Sequence, residues 1–139
     1  MTRIRSLFLA ALIVLYSAAH AQDAPEKNYD SANHPPVPML AHDDTLTVRS
    51  GDLFGLSAEG TFDPDSDSVS YWWFHYPEAG SYEETVRFTP FSENLYNVHT
   101  IEAPEVDKPE TLHFILKVTD KGDPPLSRYK RVVVNVVPD

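Results

Sequence analysis

Residues 69–76, VSYWWFHY, hold five aromatic side chains. The β-branched and aromatic composition predicts a β-strand, in which successive side chains point to opposite faces. One predicted face carries Val69, Tyr71, Trp73 and His75. The other carries Trp72, Phe74 and Tyr76. A half-buried strand needs only one apolar face, so the second aromatic face is a candidate binding surface.

Apolar and polar residues alternate in the same way along much of the remaining sequence. We predict about seven short strands, at residues 45–48, 54–58, 69–76, 82–88, 97–101, 111–119 and 129–137. Turn-forming Gly, Pro, Asp and Ser separate them, and no stretch has helical periodicity. The pattern predicts an all-β fold, an immunoglobulin-like antiparallel β-sandwich with Trp73 in its core.

The first residues are typical of a secretory signal peptide. Two arginines precede an apolar run at residues 7–16, and an Ala-His-Ala triplet that ends at residue 21 fits a small-x-small cleavage site. An uncleaved anchor is the alternative interpretation. We expect a signal peptide at 1–21, an extended proline-rich leader at 22–38 and the sandwich domain at 39–139. Such a bacterial protein would be secreted or periplasmic.

The sequence is strongly acidic, with 21 Asp and Glu residues against 11 Lys and Arg residues and a formal net charge of −10. Nucleic-acid binding depends on Lys and Arg side chains that displace counterions, so this charge argues against it. The same charge disfavours anionic polysaccharides unless calcium bridges the two partners. The sequence contains no cysteine, which excludes disulfides, thiolate metal sites and cysteine nucleophiles.

Several motifs resemble known modules. The segment DPDSDSVSYWWFHYPEAGSY at 63–82 resembles the turn and following strand of PKD and cadherin-like sandwiches, and VTDKGDPPLSRYKRVVVNVV at 118–137 resembles the last hairpin of cadherin-like repeats. Together with NHPPVP at 33–38 and TLHFILKVTDKGDPPLSRYKRV at 111–132, these motifs resemble the C-terminal domain of bacterial secreted cellulose-binding proteins. The larger N-terminal part of those proteins is nucleoside-hydrolase-like.

We expect no counterpart of that N-terminal domain, because the predicted signal peptide leads directly into the accessory domain. The hydrolytic activity attached to the family is therefore not expected, and the resemblance implies only the binding role. The chain would then be either a free-standing paralogue or a remnant of a longer protein.

The second aromatic face suits a sugar. Planar rings stack on the C–H groups of a pyranose, while polar neighbours bind its hydroxyls. We predict carbohydrate contacts from Trp72, Phe74, Tyr76 and Tyr82. Side chains two apart on a strand lie about 7 Å from each other, which suits a linear platform. Two alternatives are that the following segment covers this face, or that the face packs against a partner domain in an adhesion or interdomain module with no sugar site.

Acidic side chains concentrate in the loop before this strand and in the last hairpin turn. Ca²⁺ takes six to eight oxygen ligands, and closely spaced carboxylates supply them. We predict a calcium site with the ligands Asp63, Asp65, Asp67 and Asp120. The alternative is that these residues only shape their turns, since Asp accepts hydrogen bonds from nearby backbone amides.

Catalysis has the least support. The histidines that follow the predicted signal peptide show no metal-ligand spacing; they are His34, His42, His75, His99 and His113. Three glutamates lie near the aromatic residues: Glu78, Glu83 and Glu84. Two of them could in principle act as the acid and base of a glycosidase, but exposed loop carboxylates meet that pattern by chance in many proteins. We therefore predict a monomeric protein without enzymatic activity that binds a polysaccharide or a partner protein domain.

Overall fold

A computed structural model of the protein describes residues 31–88 and 96–139. These residues form six strands and no α-helix, and a 3-10 turn, Pro77–Ala79, follows the third strand. The strands are β1 Thr45–Arg49, β2 Leu53–Ser57, β3 Val69–His75, β4 Asn97–Glu102, β5 Glu110–Asp120 and β6 Ser127–Val137. The all-β prediction is confirmed.

The strands form two sheets. The larger has the order β1-β6-β5-β3, and the smaller pairs β2 with β4. All pairs are antiparallel except β1 with β6, which run parallel. Among the described strands β3 pairs only with β5, so the aromatic strand lies at an edge of the larger sheet. A turn with Gly51 at a φ of 71° carries the chain from β1 to β2 and so from one sheet to the other.

Alternate residues of both sheets meet in one hydrophobic core. The larger sheet supplies inward positions that are fully buried: Leu112, Phe114, Leu116, Val118, Val132, Val134 and Val136. The smaller sheet supplies Phe54, Leu56, Val98 and Ile101. The rings of Phe54 and Phe114 meet edge to face with their centroids 5.8 Å apart. The two sheets therefore pack against each other as the layers of a sandwich.

The predicted strand at 82–88 is wrong, since these residues form no strand. The N–H groups of Ser81 and Tyr82 both donate to the carbonyl oxygen of Thr111, and the Val86 N–H donates to a side chain, Nδ1 of His75. Val86 is nevertheless buried. The alternation of apolar residues thus reflects side-chain contact with the core. The backbone of this segment forms no β-ladder hydrogen bonds with another strand of the described residues. The predicted loop at 89–93 lies outside the described residues.

The last part of the predicted leader packs against the sandwich. The compact unit begins at Asn33, and Val37 and Phe62 exchange two backbone hydrogen bonds of 2.8 and 3.3 Å. Pro36 is fully buried. Residues 22–30 and the predicted signal peptide at 1–21 lie outside the described residues. Within the described part of the chain, no helix is long and apolar enough to cross a membrane.

Candidate functional site

The candidate binding surface is the outward face of the four-stranded sheet. We define this outward face as the side chains of β1, β3, β5 and β6 that point away from the buried core. On β3 the predicted alternation is observed. Trp73 is 4% exposed, whereas Trp72 is 58% exposed and Tyr76 is 45% exposed. Two adjacent tryptophans therefore have opposite environments, one in the core and one in solvent.

The aromatic side chains of the outward face form a row along the edge strand. The ring centroids of Trp72 and Phe74 are 5.3 Å apart, with an angle of 45° between their planes. This is shorter than the 7 Å expected from strand spacing, because the two rings lean toward each other. Tyr76 follows directly after the strand, and its N–H donates to the carbonyl oxygen of His113 over 2.7 Å. That bond fixes the backbone at the end of the row.

Tyr82, the fourth predicted sugar-binding residue, packs against the buried core. Its hydroxyl donates to the Glu84 carboxylate over 3.4 Å. Burial, followed by the charge of Glu84, raises the pKa of the Tyr82 phenol. The structure therefore brings three of the four predicted residues into the row and places Tyr82 against the core.

The strand register adds residues that the sequence did not identify. Trp72 is paired with Lys117 on β5, and Lys117 is paired with Tyr129 on β6. Tyr129 is 60% exposed. Neighbouring strands are about 4.8 Å apart, so the Trp72 and Tyr129 backbones lie about 10 Å apart across the sheet. Tyr129 has the outward parity of its strand, but only the register places it level with Trp72.

The outward face differs in charge from the rest of the chain. The outward positions of the four strands include Arg49, Lys117 and Arg131 and no Asp or Glu. The half-buried His113 lies on the same face, and burial, followed by the charge of Arg131, lowers its pKa. The charged residues at the outward strand positions are thus all cationic in a protein that is strongly acidic as a whole.

A second constellation lies where β3 begins. One carboxylate oxygen from each of Asp63, Asp65 and Asp67 lies within 4.8 Å of the others. Oδ1 of Asp63 accepts hydrogen bonds from the N–H groups of Asp65 and Asp67, at 2.9 and 3.2 Å. Asp65 also pairs with the His34 imidazole at 2.9 Å, and hydrogen bonds from His34 lower the pKa of its carboxyl.

Asp120, the fourth predicted metal ligand, lies beside this loop. It is the last residue of β5 and is paired with Val69, the first residue of β3. Its side chain is 2% exposed. Burial, followed by the charges of Asp63, Asp120 and Asp65, raises the pKa of Asp67. The sheet register therefore places Asp120 beside the aspartate loop, although it is distant from the other three aspartates in sequence.

Two of the described histidines, His75 and His42, contact neighbouring groups of the fold. Nδ1 of His75 accepts the Val86 N–H at 3.1 Å, its ring lies 5.2 Å from Phe114, and burial lowers its pKa. Nδ1 of His42 is 2.7 Å from the carbonyl oxygen of Asp43. The His99 side chain lies outside the described part. Among described residues, the aspartates 63, 65 and 67 form the one cluster with metal-ligand geometry.

Comparisons with known proteins give two findings. Residues 53–136, more than half of the chain, match the family model described as "Cellulose-binding protein Sde0182, C-terminal domain". A nucleoside hydrolase-related hypothetical protein from Saccharophagus degradans, described as associated with carbohydrate metabolism, is 38% identical in sequence and superposes with a TM-score of 0.68. The match covers 78% of this chain and 27% of that one, so the chain corresponds to about a quarter of its structural relative. No curated protein matches the sequence.

Proposed function

This chain belongs to the family of the C-terminal domain of cellulose-binding protein Sde0182, and from that premise we propose that it is a non-catalytic module that binds cellulose-type glycans on its outward face. The exposure of Trp72 carries the proposal. Trp72 lies on a sheet edge next to a tryptophan that is 4% exposed, yet the described residues leave 58% of its own surface exposed. Large exposed aromatic side chains of this kind mark binding surfaces.

The row of rings matches the chemistry of a sugar chain. Trp72, Phe74 and Tyr76 lie along one strand edge, so an extended polysaccharide can stack on successive rings. Lys117 and Tyr129 flank the row on the sheet and offer hydrogen-bond donors to hydroxyl groups. The rings come from paired strands, so their positions are set before the ligand arrives, which lowers the entropic cost of binding.

The same face supports a non-catalytic role. Glycosidases place two carboxyl groups about 5–9.5 Å apart on either side of the scissile bond. The outward strand positions carry no Asp or Glu, and Glu84, one of the three glutamates considered above, hydrogen-bonds Tyr82, which packs against the core. On the outward strand positions a glycan would therefore meet cations and hydroxyls and no acid–base pair.

The finer features of the proposal follow from the sequence. Two packed sheets in a unit of about one hundred residues support an immunoglobulin-like sandwich of the PKD or cadherin-like type. The predicted signal peptide at 1–21 and the cellulose-binding name of the family support secretion. The protein would act as a monomer with a polysaccharide as its partner.

A second function is favoured by one observation. The structural relative is nearly four times longer than the part that matches, so the equivalent face in that protein has another domain available to it. In this alternative the outward face is a packing surface and binds no sugar. The two functions differ in what the isolated chain does with cellulose.

The test is depletion of the full chain from solution by insoluble cellulose. We expect binding that Trp72→Ala weakens at least tenfold and that Phe62→Ala leaves unchanged. Phe62 is a matched control, since it is 53% exposed but lies in the loop paired with Val37. A chain that stays in the supernatant, or a Trp72→Ala variant that binds as the parent does, would contradict the proposal. The first of these outcomes would favour the packing function.

A further inference from the structure

Three side-chain oxygens near the start of β3 are buried without a hydrogen-bond partner in the described residues: Asn33 Oδ1, Asp63 Oδ2 and Asp120 Oδ2. Buried polar atoms are nearly always paired, because an unpaired one costs about 1–3 kcal/mol and a charged one more. Two of these three oxygens belong to carboxylates, and Asp120 is only 2% exposed. A carboxylate or amide oxygen in this position can accept a hydrogen bond or contact a cation.

Each of the two carboxylates is held by its other oxygen. Oδ1 of Asp120 accepts three hydrogen bonds, from the Gly122 N–H at 3.0 Å, the Leu126 N–H at 2.9 Å and the Asn33 side-chain amide at 3.2 Å. Oδ1 of Asp63 similarly accepts two backbone N–H groups of its own loop. The backbone therefore fixes the orientation of both carboxylates and leaves Oδ2 of each unused.

The unused oxygens lie at one end of the sandwich. Asp120 is paired with Val69, two residues after Asp67, and it interacts electrostatically with Asp67 and Asp65, so the buried carboxylate lies beside the aspartate loop. The amide nitrogen of Asn33 bonds both Asp120 and the carbonyl oxygen of Pro124, at 3.2 and 2.8 Å, which places its Oδ1 at the same end of the sandwich. Four carboxylates this close repel one another unless a cation neutralises them.

We propose that Asp63, Asp65, Asp67 and Asp120, together with the side-chain oxygen of Asn33, bind one calcium ion at this end of the sandwich. The donor set is oxygen throughout, which suits a hard cation, and five side chains supply most of the six to eight oxygens that Ca²⁺ takes. Mg²⁺ fits less well because it demands octahedral geometry at about 2.0–2.1 Å and gives up its water reluctantly. The nearest imidazole, that of His34, is already paired with Asp65.

The ion would join three parts of the chain that are distant in sequence. Asn33 lies where the compact unit begins, the aspartate loop leads into β3, and Asp120 ends β5 before the last hairpin turn. Calcium would thus attach the proline-rich segment to the sandwich and fix the start of the strand that carries the aromatic row. This inference rests on the loop cluster and stands independently of sugar binding.

The experiment is a calorimetric titration of the chelator-treated full chain with CaCl₂, and in parallel with MgCl₂, together with melting temperatures in calcium and in chelator. We expect one Ca²⁺ per chain, weaker binding of Mg²⁺, and a melting temperature about 10 °C or more higher at a calcium concentration of about one hundred times Kd. Asp67→Asn should weaken binding at least tenfold. Asp43→Asn, which removes the same charge from an exposed position outside the cluster, should bind as the parent does.

A second variant tests the contribution of Asn33 without altering a carboxylate. A Cβ on Gly122 would lie 2.2 Å from Asn33 Nδ2 and 2.4 Å from its Oδ1, so Gly122→Ala must displace that amide. We expect weaker calcium binding in a variant that still folds, since the clashing atoms end a flexible side chain. No binding heat and equal melting temperatures in calcium and chelator would overturn the proposal. Equal losses in Asp67→Asn and Asp43→Asn would also overturn it, because they would indicate unspecific attraction to an acidic chain.

Discussion

Truncation of the two adjacent tryptophans should separate the core from the candidate binding surface. Trp73 is 4% exposed and lies in the cluster between the sheets, whereas Trp72 is 58% exposed. We expect Trp73→Ala to destabilise the fold strongly and Trp72→Ala to leave it nearly unchanged. The substitutions are chemically identical and one position apart, so each variant is the control for the other.

The magnitude follows from two opposing effects at Trp73. Removing a buried Trp side chain costs about 3–5 kcal/mol through lost transfer energy and the cavity that remains. The indole Nε1 has no hydrogen-bond partner in the described residues, and losing an unpaired buried N–H returns about 1–3 kcal/mol. Subtracting the middle of the second range from the middle of the first gives a net loss of about 2 kcal/mol. Trp72→Ala loses mainly its ring contact with Phe74, which is worth about 1 kcal/mol or less.

Urea denaturation followed by far-UV circular dichroism is the appropriate assay, because tryptophan fluorescence would report different residues in the two variants. For a domain of about one hundred residues, a loss of about 2 kcal/mol corresponds to a fall of about 8–16 °C in melting temperature. Trp73→Phe, which removes the unpaired N–H and keeps a ring, should lose less than Trp73→Ala. Equal destabilisation by Trp72→Ala and Trp73→Ala would refute the assignment of their faces.

Three further predictions concern the edge of the sheet, its pH response and its charge. A Cβ on Gly80 would lie 2.3 Å from the backbone oxygen of Thr111, so Gly80→Ala should cost about 1–3 kcal/mol in chemical denaturation, and an unchanged midpoint would contradict this. Burial and the Arg131 charge lower the pKa of His113, so below its unfolded value of about 6.5 the unfolded chain binds more protons and stability falls with falling pH. Melting temperatures from pH 8 to pH 5 should therefore decline less in His113→Gln, and parallel curves would argue against this role. In affinity electrophoresis in about 0.1 M salt, carboxymethyl cellulose should retard the chain more than hydroxyethyl cellulose, and Lys117→Gln should reduce the difference; equal retardation by both polymers would exclude an electrostatic contribution.

The alternation of the sequence predicted the long strands well, because their two faces meet different environments. In β5 the buried positions alternate strictly with half-buried ones, and the sequence shows the same period of two. The assignment of Trp73 to the core and Trp72 to the opposite face follows from the same rule. Where one face packs on a core, a shift of one residue would expose the whole apolar set, so the pattern strongly specifies the structure.

The failures of prediction arise where non-local contacts decide the structure. The apolar residues at 82–88 alternate as in a strand, yet Val86 reaches the core from an irregular segment whose N–H bonds a histidine ring. Tyr129 joins the aromatic face only through the register across β5. Asn33 lies in a proline-rich segment with no periodicity, and its importance depends on hydrogen bonds to residues about ninety positions away. No local pattern in the sequence encodes such contacts.

The overall charge of the chain was the least informative sequence feature about the site. A net charge of −10 predicts repulsion of anionic polysaccharides. Charges in about 0.1 M salt are screened beyond about 10 Å, so a ligand on the outward face responds mainly to the groups beside it. Those groups include Lys117 and Arg131, whereas the clustered aspartates lie in the loop before β3 and at the end of β5. The local charge of the aromatic row therefore has the opposite sign to the total, and it is the local charge that decides whether a carboxylated cellulose binds better or worse than a neutral one.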